Sequence, residues 1–126
     1  MQDRLKIRIW DKKNNVMLHP EEIKKLIFDF DEKAVRILLK FHPTWIEIPF
    51  DECIILHCTG LKDKNGELIF AGDILDHYAF IDVVVFKNGI FTTKNNAHFQ
   101  PLYIHGLSEL KIIGNIYENP ELLEAQ

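Results

Sequence analysis

The sequence has few of the features that mark secreted, membrane or nucleic-acid-binding proteins. No apolar stretch approaches the roughly 20 residues that a membrane-spanning helix needs. The opening MQDRLKIRIWDKK lacks the apolar core of a signal peptide. Acidic residues outnumber basic ones, and the net charge of −4 argues against broad attraction to a phosphate backbone. We therefore expect a cytoplasmic protein in which any basic surface is local.

Cysteine is scarce as well. Cys53 and Cys58 are the two cysteines of the chain, and both fall in the apolar run DECIILHC. If this run is a strand, their odd spacing puts them on opposite faces, where they cannot form a disulfide with each other. We expect both to be reduced and half-buried.

What the sequence does contain is an ordinary globular composition. Of its 126 residues, 47% are hydrophobic and 27% are charged, which is typical of a folded domain. This length is about the modal size of one domain. With no linker or repeat in view, we predict a single domain over residues 1–126. Its N-terminal part ends near residue 58, and a barrel part covers residues 59–126.

Short apolar runs separated by turn residues predict a mainly β, β-rich α+β fold. LKIRIW alternates with a period of two, VML can return as a short strand, and WIEI between two prolines is expected at a sheet edge. Pro20 followed by two glutamates predicts a brief helix. Asn65-Gly66 is a strong hairpin dipeptide that suits a type I′ turn, and Asn-Gly at 88–89 predicts another hairpin. This pattern indicates a small antiparallel barrel or sandwich.

The segment between residues 20 and 41 fits two structures. The apolar residues of KKLIFDFDEKAVRILLKF match both a helical stripe and strand alternation. DEKA is polar and turn-like, and both of its flanks are rich in residues that favour strands. We favour a hairpin, with a longer helix as the alternative. At the C-terminus, NPELLEA predicts an Asn-capped helical turn.

Three blocks carry a family resemblance. They are IRIWDKKNNVM at 7–17, TGLKDKNGELIFAGDIL at 59–75 and IGNIYENPELL at 113–123. They resemble the opening, central and C-terminal signatures of the YopX family, which bacterial phages and prophages encode. Ile7 departs from the usual Phe of that family. Phe70-Ala71 replaces Tyr-Glu before GDI, which removes an acidic side chain.

This resemblance implies an SH3-type antiparallel barrel in the C-terminal half, with an N-terminal hairpin and short helix as decoration. It also implies a phage-derived accessory protein of the bacterial host cell, and it brings no established activity. We expect a structural role for the turn and signature residues, which are Thr59, Gly60, Asp63, Asn65, Gly66, Gly72, Asp73, Asn88, Gly89, Gly114, Asn115 and Tyr117.

The polar turn in the central block imitates part of a calcium site. An EF-hand loop needs oxygen ligands at its first and twelfth positions. Placing Gly66 at the sixth position puts Leu61 and Gly72 at those two. The histidines of the chain do not fall at the spacings typical of zinc sites. We therefore expect a structural turn, no metal and no cofactor.

Catalytic groups are equally hard to assemble from the sequence. Nothing in the spacing of Cys58, His77 and Asp73 requires a nucleophilic triad. Asp73, Asp76 and Glu67 are candidates for a magnesium site of a metal-dependent hydrolase, but acids beside turns more often cap or face solvent. We expect no catalytic residue, and the hydrolase is kept as the second alternative function.

Two binding functions remain. The leading interpretation is a non-enzymatic protein-binding module, because SH3-like barrels commonly expose a groove for partners. The alternative is a nucleic-acid-binding protein that uses Lys6, Arg8 and Trp10 on one face of the first strand, together with Trp45. In the competing structural interpretation, Trp10 packs against the barrel and the basic side chains are merely solvated. RILLKF and WIEI, as candidate edge strands, also predict a homo-oligomer.

Overall fold

A computed structural model describes residues 6–77, 80–95, 98–101 and 110–124. The chain divides into two compact units, Met1–Leu56 and His57–Gln126, and each is described by itself. The boundary falls close to residue 58. A single domain over the whole chain stays a prediction.

The N-terminal unit is built from two short antiparallel arrangements. β1 (Ile7–Asp11) pairs with β2 (Val16–Leu18), as expected from LKIRIW and VML. A single 3₁₀ turn, Pro20–Glu22, follows, which confirms the brief helix. β3 (Ile23–Asp29), β4 (Ala34–Leu39) and β5 (Trp45–Pro49) then form a sheet in that order. A second 3₁₀ turn, Phe50–Glu52, leads into β6 (Cys53–Lys62).

The hairpin interpretation of residues 20–41 is confirmed. β3 and β4 pair antiparallel. Alternation along β4 places Val35 and Ile37 in the core, where they are 1% and 0% exposed. β4 lies between β3 and β5, so the run RILLKF is central and not an edge. WIEI lies in β5 at the edge of this sheet, as predicted. The core of the unit consists of Ile9, Leu18, Ile23, Val35, Ile37 and Ile48.

The C-terminal unit is built from antiparallel strands. Within it β6 pairs with β7 (Leu68–Phe70). β8 (Asp73–His77), β9 (Phe80–Lys87), β10 (Ile90–Asn95), β11 (His98–Pro101) and β12 (Lys111–Asn115) form a sheet of order β11-β10-β9-β8-β12. The helical turn α1 (Glu121–Glu124) follows. The core of the unit consists of Ile69, Leu75, Val84 and Leu110. The mainly β fold class is thereby confirmed.

The two Asn-Gly turns differ, and one prediction about them is wrong. At Asn88 and Gly89 both φ angles are positive, 53° and 84°, which a type I′ hairpin turn requires. At the other turn only Gly66 has a positive φ, 82°. The turn closes one residue earlier, because the Gly66 N–H donates to the Asp63 carbonyl at 3.0 Å. Asn65 is therefore the third residue of a β-turn that runs from Asp63 to Gly66. It is not the first central residue of a type I′ turn, because its φ is not positive.

Two glycines lie where the strand pairing is irregular. The register of β6 against β7 shifts between Cys58 and Lys62, around Gly60 with its φ of 83°. The register of β12 against β8 shifts between Ile112 and Gly114. Such bulges bend a strand and increase its twist.

Candidate functional site

The polar turn of the central block is organised around the carboxylate of Asp63. Its Oδ1 accepts the backbone N–H groups of Asn65 and Glu67, both at 2.9 Å, and its Oδ2 accepts the N–H of Ile112 at 3.0 Å. The residue is only 6% exposed. The Lys64 N–H also donates to the Leu110 carbonyl at 2.9 Å. This carboxylate therefore ties the turn to the strand region around residues 110–112.

The same contacts explain the acidity of this group. Burial raises the pKa of Asp63, since it penalises the charged form. The backbone N–H groups of Ile112, Glu67 and Asn65 and the charge of Lys64 act in the opposite direction. The net pKa of the Asp63 carboxyl lies below its ordinary value. Its lone pairs are engaged by the backbone, which makes it a structural anchor for the turn.

Gly72 and Asp73 play a similar part at the end of the central block. Asp73 is 1% exposed, and its Oδ2 accepts the Phe70 N–H at 2.8 Å. A Cβ at Gly72 would lie 2.9 Å from Cε2 of Tyr117, so only glycine allows this ring to approach. Burial raises the pKa of the Tyr117 hydroxyl. The second and third blocks therefore pack on each other within the C-terminal unit.

Asn115 organises the chain reversal of the third block. Its Oδ1 accepts the N–H groups of Tyr117 and Glu118 at 3.0 and 2.8 Å, and its Nδ2 donates to Glu118 Oε1 at 2.9 Å. Asn119 Oδ1 accepts the Asn115 N–H at 3.2 Å. A Cβ at Gly114 would lie 2.6 Å from this same Oδ1. The block is a compact turn held by side-chain amides.

In the opening block, the side chain of Asp11 likewise organises a turn. Asp11 is 3% exposed, and its Oδ1 accepts the N–H groups of Lys13 and Asn14 at 3.0 and 3.3 Å. Its Oδ2 accepts Nδ2 of Asn14 at 2.9 Å. In each block, an aspartate or asparagine side chain thus organises a turn. These residues therefore have a role in stabilising the fold.

The candidate magnesium residues are not presented together as ligands. Asp73 is buried and accepts the Phe70 N–H, Asp76 is half-buried further along β8, and Glu67 is exposed in the turn. Among the described residues, no group of three or more His, Cys, Asp or Glu side chains is arranged to hold a metal ion. The side chain of His77 lies outside the described residues, so the candidate triad with Cys58 is not placed.

The cysteines are placed as predicted. Cys53 and Cys58 are free and half-buried. Burial raises the pKa of the Cys53 thiol, and the negative charge of Asp11 raises it further.

Only part of the predicted basic-aromatic face of the first strand is accessible to solvent. Lys6 is exposed and Arg8 half-buried, whereas Trp10 is 8% exposed. A ring buried to this extent does not offer the open face that stacking on an unpaired base needs. The burial of Trp10 favours the structural interpretation of this residue. Trp45 is different, with 41% of its surface exposed on β5.

Trp45 lines a solvent-open groove in the N-terminal unit. The groove has a volume of about 440 Å³ and is formed by residues 38–43 together with Lys24 and Trp45. Phe41 is 89% exposed, which is unusual for a large apolar side chain. We call this surface the Phe41 groove. Its concave surface contains two accessible aromatic rings and polar neighbours.

Local structure holds the lining of the Phe41 groove in position. The Lys40 N–H donates to the Glu22 carbonyl at 2.8 Å, which fixes the chain next to Phe41. Trp45 faces Leu38 across the β4–β5 pair. Pro43 restricts the loop between the strands because its φ is fixed by the ring. The aromatic residues are therefore carried by a short, anchored connection.

Ion pairs link the three strands of the β3–β5 sheet. Arg36 on β4 contacts Asp29 Oδ2 at 3.1 Å and Glu47 Oε2 at 3.3 Å. These contacts bridge all three strands of the sheet, although exposed pairs contribute little stability. One guanidinium thus faces two carboxylates, so this cluster carries a net negative charge.

Sequence reasoning found Trp45 and missed the rest of the groove. The signal was Phe41 itself, an aromatic residue beside Lys40, His42 and Pro43 in a polar connection. The predicted strand RILLKF places Phe41 at its end, where the sequence does not reveal its exposure.

The fold and the turns define a small mainly β protein whose signature residues organise chain reversals. The chain matches the YopX protein family model over residues 6–124, and it belongs to this family. It is similar to the crystal structure of protein EF1440 from Enterococcus faecalis, with 30% identity, a TM-score of 0.62 and coverage of 94% of this chain and 96% of that chain.

A second solved structure supports the fold alone. Protein yopX from Bacillus subtilis is 17% identical, with a TM-score of 0.63 and coverage of 97% of this chain and 98% of that chain. None of the curated proteins matches the chain. Within the described residues, no helix is long and apolar enough to cross a membrane.

Proposed function

We propose that this protein is a non-enzymatic module that binds a segment of a protein partner in the Phe41 groove. The observation that carries the proposal is the exposure of Phe41, at 89%, beside the accessible ring of Trp45. Burying a side chain of this size is worth about 1.5–3 kcal/mol. A partner that covers Phe41 would gain this free energy on binding.

The character of the lining supports a protein ligand. Aromatic residues supply large contact areas with few rotatable bonds, and they are enriched at the energetic centres of protein interfaces. The hydrogen bond from Lys40 to Glu22 reduces the ordering that binding would require. A preorganised connection loses less conformational entropy when a ligand arrives.

The setting of the module is part of the same proposal. We infer a phage-derived accessory protein that acts in the cytoplasm of the bacterial host, as the family resemblance implies. Its net charge of −4 is compatible with a soluble binding partner.

Affinity capture from host cells tests the proposal. The bait is the full chain, compared with a Phe41→Ser, Trp45→Ala double variant. The matched control is Phe86→Ser, which removes another exposed phenylalanine, 62% exposed, from the C-terminal unit. We expect one host or phage protein to be recovered by the parent and the control and to be lost with the double variant.

The recovered protein is then purified and mixed with each bait. Direct binding that depends on Phe41 and Trp45 would support the proposal. Equal binding to all three baits would contradict it, as would the absence of any protein that distinguishes the parent from the double variant. Circular dichroism of each variant verifies that the fold is retained.

A further inference from the structure

The Phe41 groove is basic as well as aromatic. Lys24 and Lys40 line it together with Phe41, Trp45 and His42, and both lysines are exposed. Among the described residues that line the groove, none is acidic. This composition contrasts with the whole chain, which carries a net charge of −4. The groove is therefore a local basic surface on an acidic protein.

Both lysines are set in place by local backbone structure. Lys24 lies where the register of β3 against β4 shifts, between Ile23 and Lys25. An irregularity of this kind redirects a side chain relative to regular pairing. Lys40 is fixed through its N–H, which donates to the Glu22 carbonyl. The two lysines thus come from different strand regions and line one concave surface.

The size of this basic surface favours a short acidic ligand. A nucleic acid carries closely spaced phosphates and gains affinity from many basic contacts along its length. The groove offers two lysines, and the net charge of the chain would repel an extended polyanion. A peptide with a few carboxylates needs only local compensation, and its apolar side chain can cover the aromatic rings.

We propose, on the basis of the binding function proposed above, that the ligand is an acidic peptide segment with an apolar anchor. An aromatic or branched aliphatic side chain packs on Phe41 and Trp45. Aspartate or glutamate residues on either side of the anchor face Lys24 and Lys40. The charges set orientation and salt dependence, while the apolar contact supplies most of the affinity.

Selection from a random dodecapeptide display library tests the ligand class, because it requires no knowledge of the natural partner. The full chain is the target, and the Phe41→Ser variant is used for counter-selection. We expect the enriched peptides to combine aspartate or glutamate with an apolar residue. Enrichment of basic or uncharged peptides would overturn the inference, and so would the absence of peptides that depend on Phe41.

The charge contacts are then measured with one selected peptide, made synthetically and labelled with a fluorophore. Lys24→Glu and Lys40→Glu should each weaken binding by about tenfold, since reversal turns attraction into repulsion. Lys62→Glu is the matched control, with the same charge change on exposed Lys62 of β6, and should leave affinity nearly unchanged. Equal losses in all three variants would show a general charge effect and overturn the inference.

Labelled oligothymidylate provides the last arm. Tighter binding of this probe than of the peptide at equal salt would assign the groove to single-stranded nucleic acid and overturn the inference. If peptide selection fails while partner capture still requires Phe41, the acidic ligand class is wrong and the binding module stands. If both fail, the proposed function is wrong as well.

Discussion

Replacing Asp63 with alanine should destabilise the protein strongly, because this one carboxylate serves a whole turn. The variant leaves the N–H groups of Asn65, Glu67 and Ile112 without their acceptor. A hydrogen bond to a charged group contributes about 1.5–3 kcal/mol. Water can reach part of a surface turn, so the lower end applies to each bond. Three bonds at about 1.5 kcal/mol each give an expected total loss of about 4.5 kcal/mol in the free energy of unfolding.

The assay is urea unfolding followed by circular dichroism, with thermal melts in parallel. A loss of this size should lower Tm by about 15 °C in a chain of this length. Glu67→Ala is the matched control, because it removes an exposed carboxylate from the same turn. A parent-like midpoint for Asp63→Ala, or equal losses in the two variants, would refute the anchoring role of Asp63.

The effect should also depend on pH. The folded-state pKa of Asp63 is below its ordinary value, so the unfolded chain binds the proton more readily. The stabilisation is present above the unfolded pKa of about 4 and is lost as pH falls through the folded pKa. The difference in stability between the parent and Asp63→Ala should therefore narrow in acid. A difference that is constant from neutral to acidic pH would contradict this linkage.

Three further predictions concern backbone, thiol and assembly. Gly66→Val and Gly89→Val should each cost more than about 1 kcal/mol, because a β-branched residue tolerates positive φ poorly; thermal melts that match the parent would contradict this. At mildly alkaline pH, iodoacetamide should label Cys53 more slowly than N-acetylcysteine, because burial and Asp11 raise the pKa of the Cys53 thiol; equal rates would exclude the effect. The protein should self-associate through the exposed edge strand β5, and light scattering that gives 14.8 kDa at every dilution would refute it.

Much of the strand pattern could be predicted because alternation and turn residues act locally. The hairpin of β3 and β4 followed from strand-favouring residues on both sides of a polar turn. The turn at Asn88 and Gly89 formed as its dipeptide predicts. The turn at Asn65 and Gly66 differed, because the nearby Asp63 carboxylate captured the backbone N–H groups of Asn65 and Glu67. A side chain in the turn had overridden the dipeptide preference.

The candidate site was harder to predict, because it depends on exposure. Trp10 and Trp45 look alike in the sequence, but Trp10 is buried and Trp45 is accessible. The two residues differ in burial, which their local sequence does not reveal. Phe41 fits the alternation of the predicted strand RILLKF, but β4 ends at Leu39 and Phe41 lies exposed in the connection that follows. Sequence patterns specify which faces are apolar, whereas the fold decides which of them stay uncovered.

Hydrogen exchange of the full chain, with and without a selected acidic peptide, tests the central claim most directly. We expect the peptide to protect backbone amides in residues 38–45 and to leave residues 59–75 and 113–123 unchanged. That result would assign binding to the Phe41 groove and folding to the signature blocks. Protection confined to residues 59–75 or 113–123 would contradict the account, because it would place the binding site in the turns that we assign to structure.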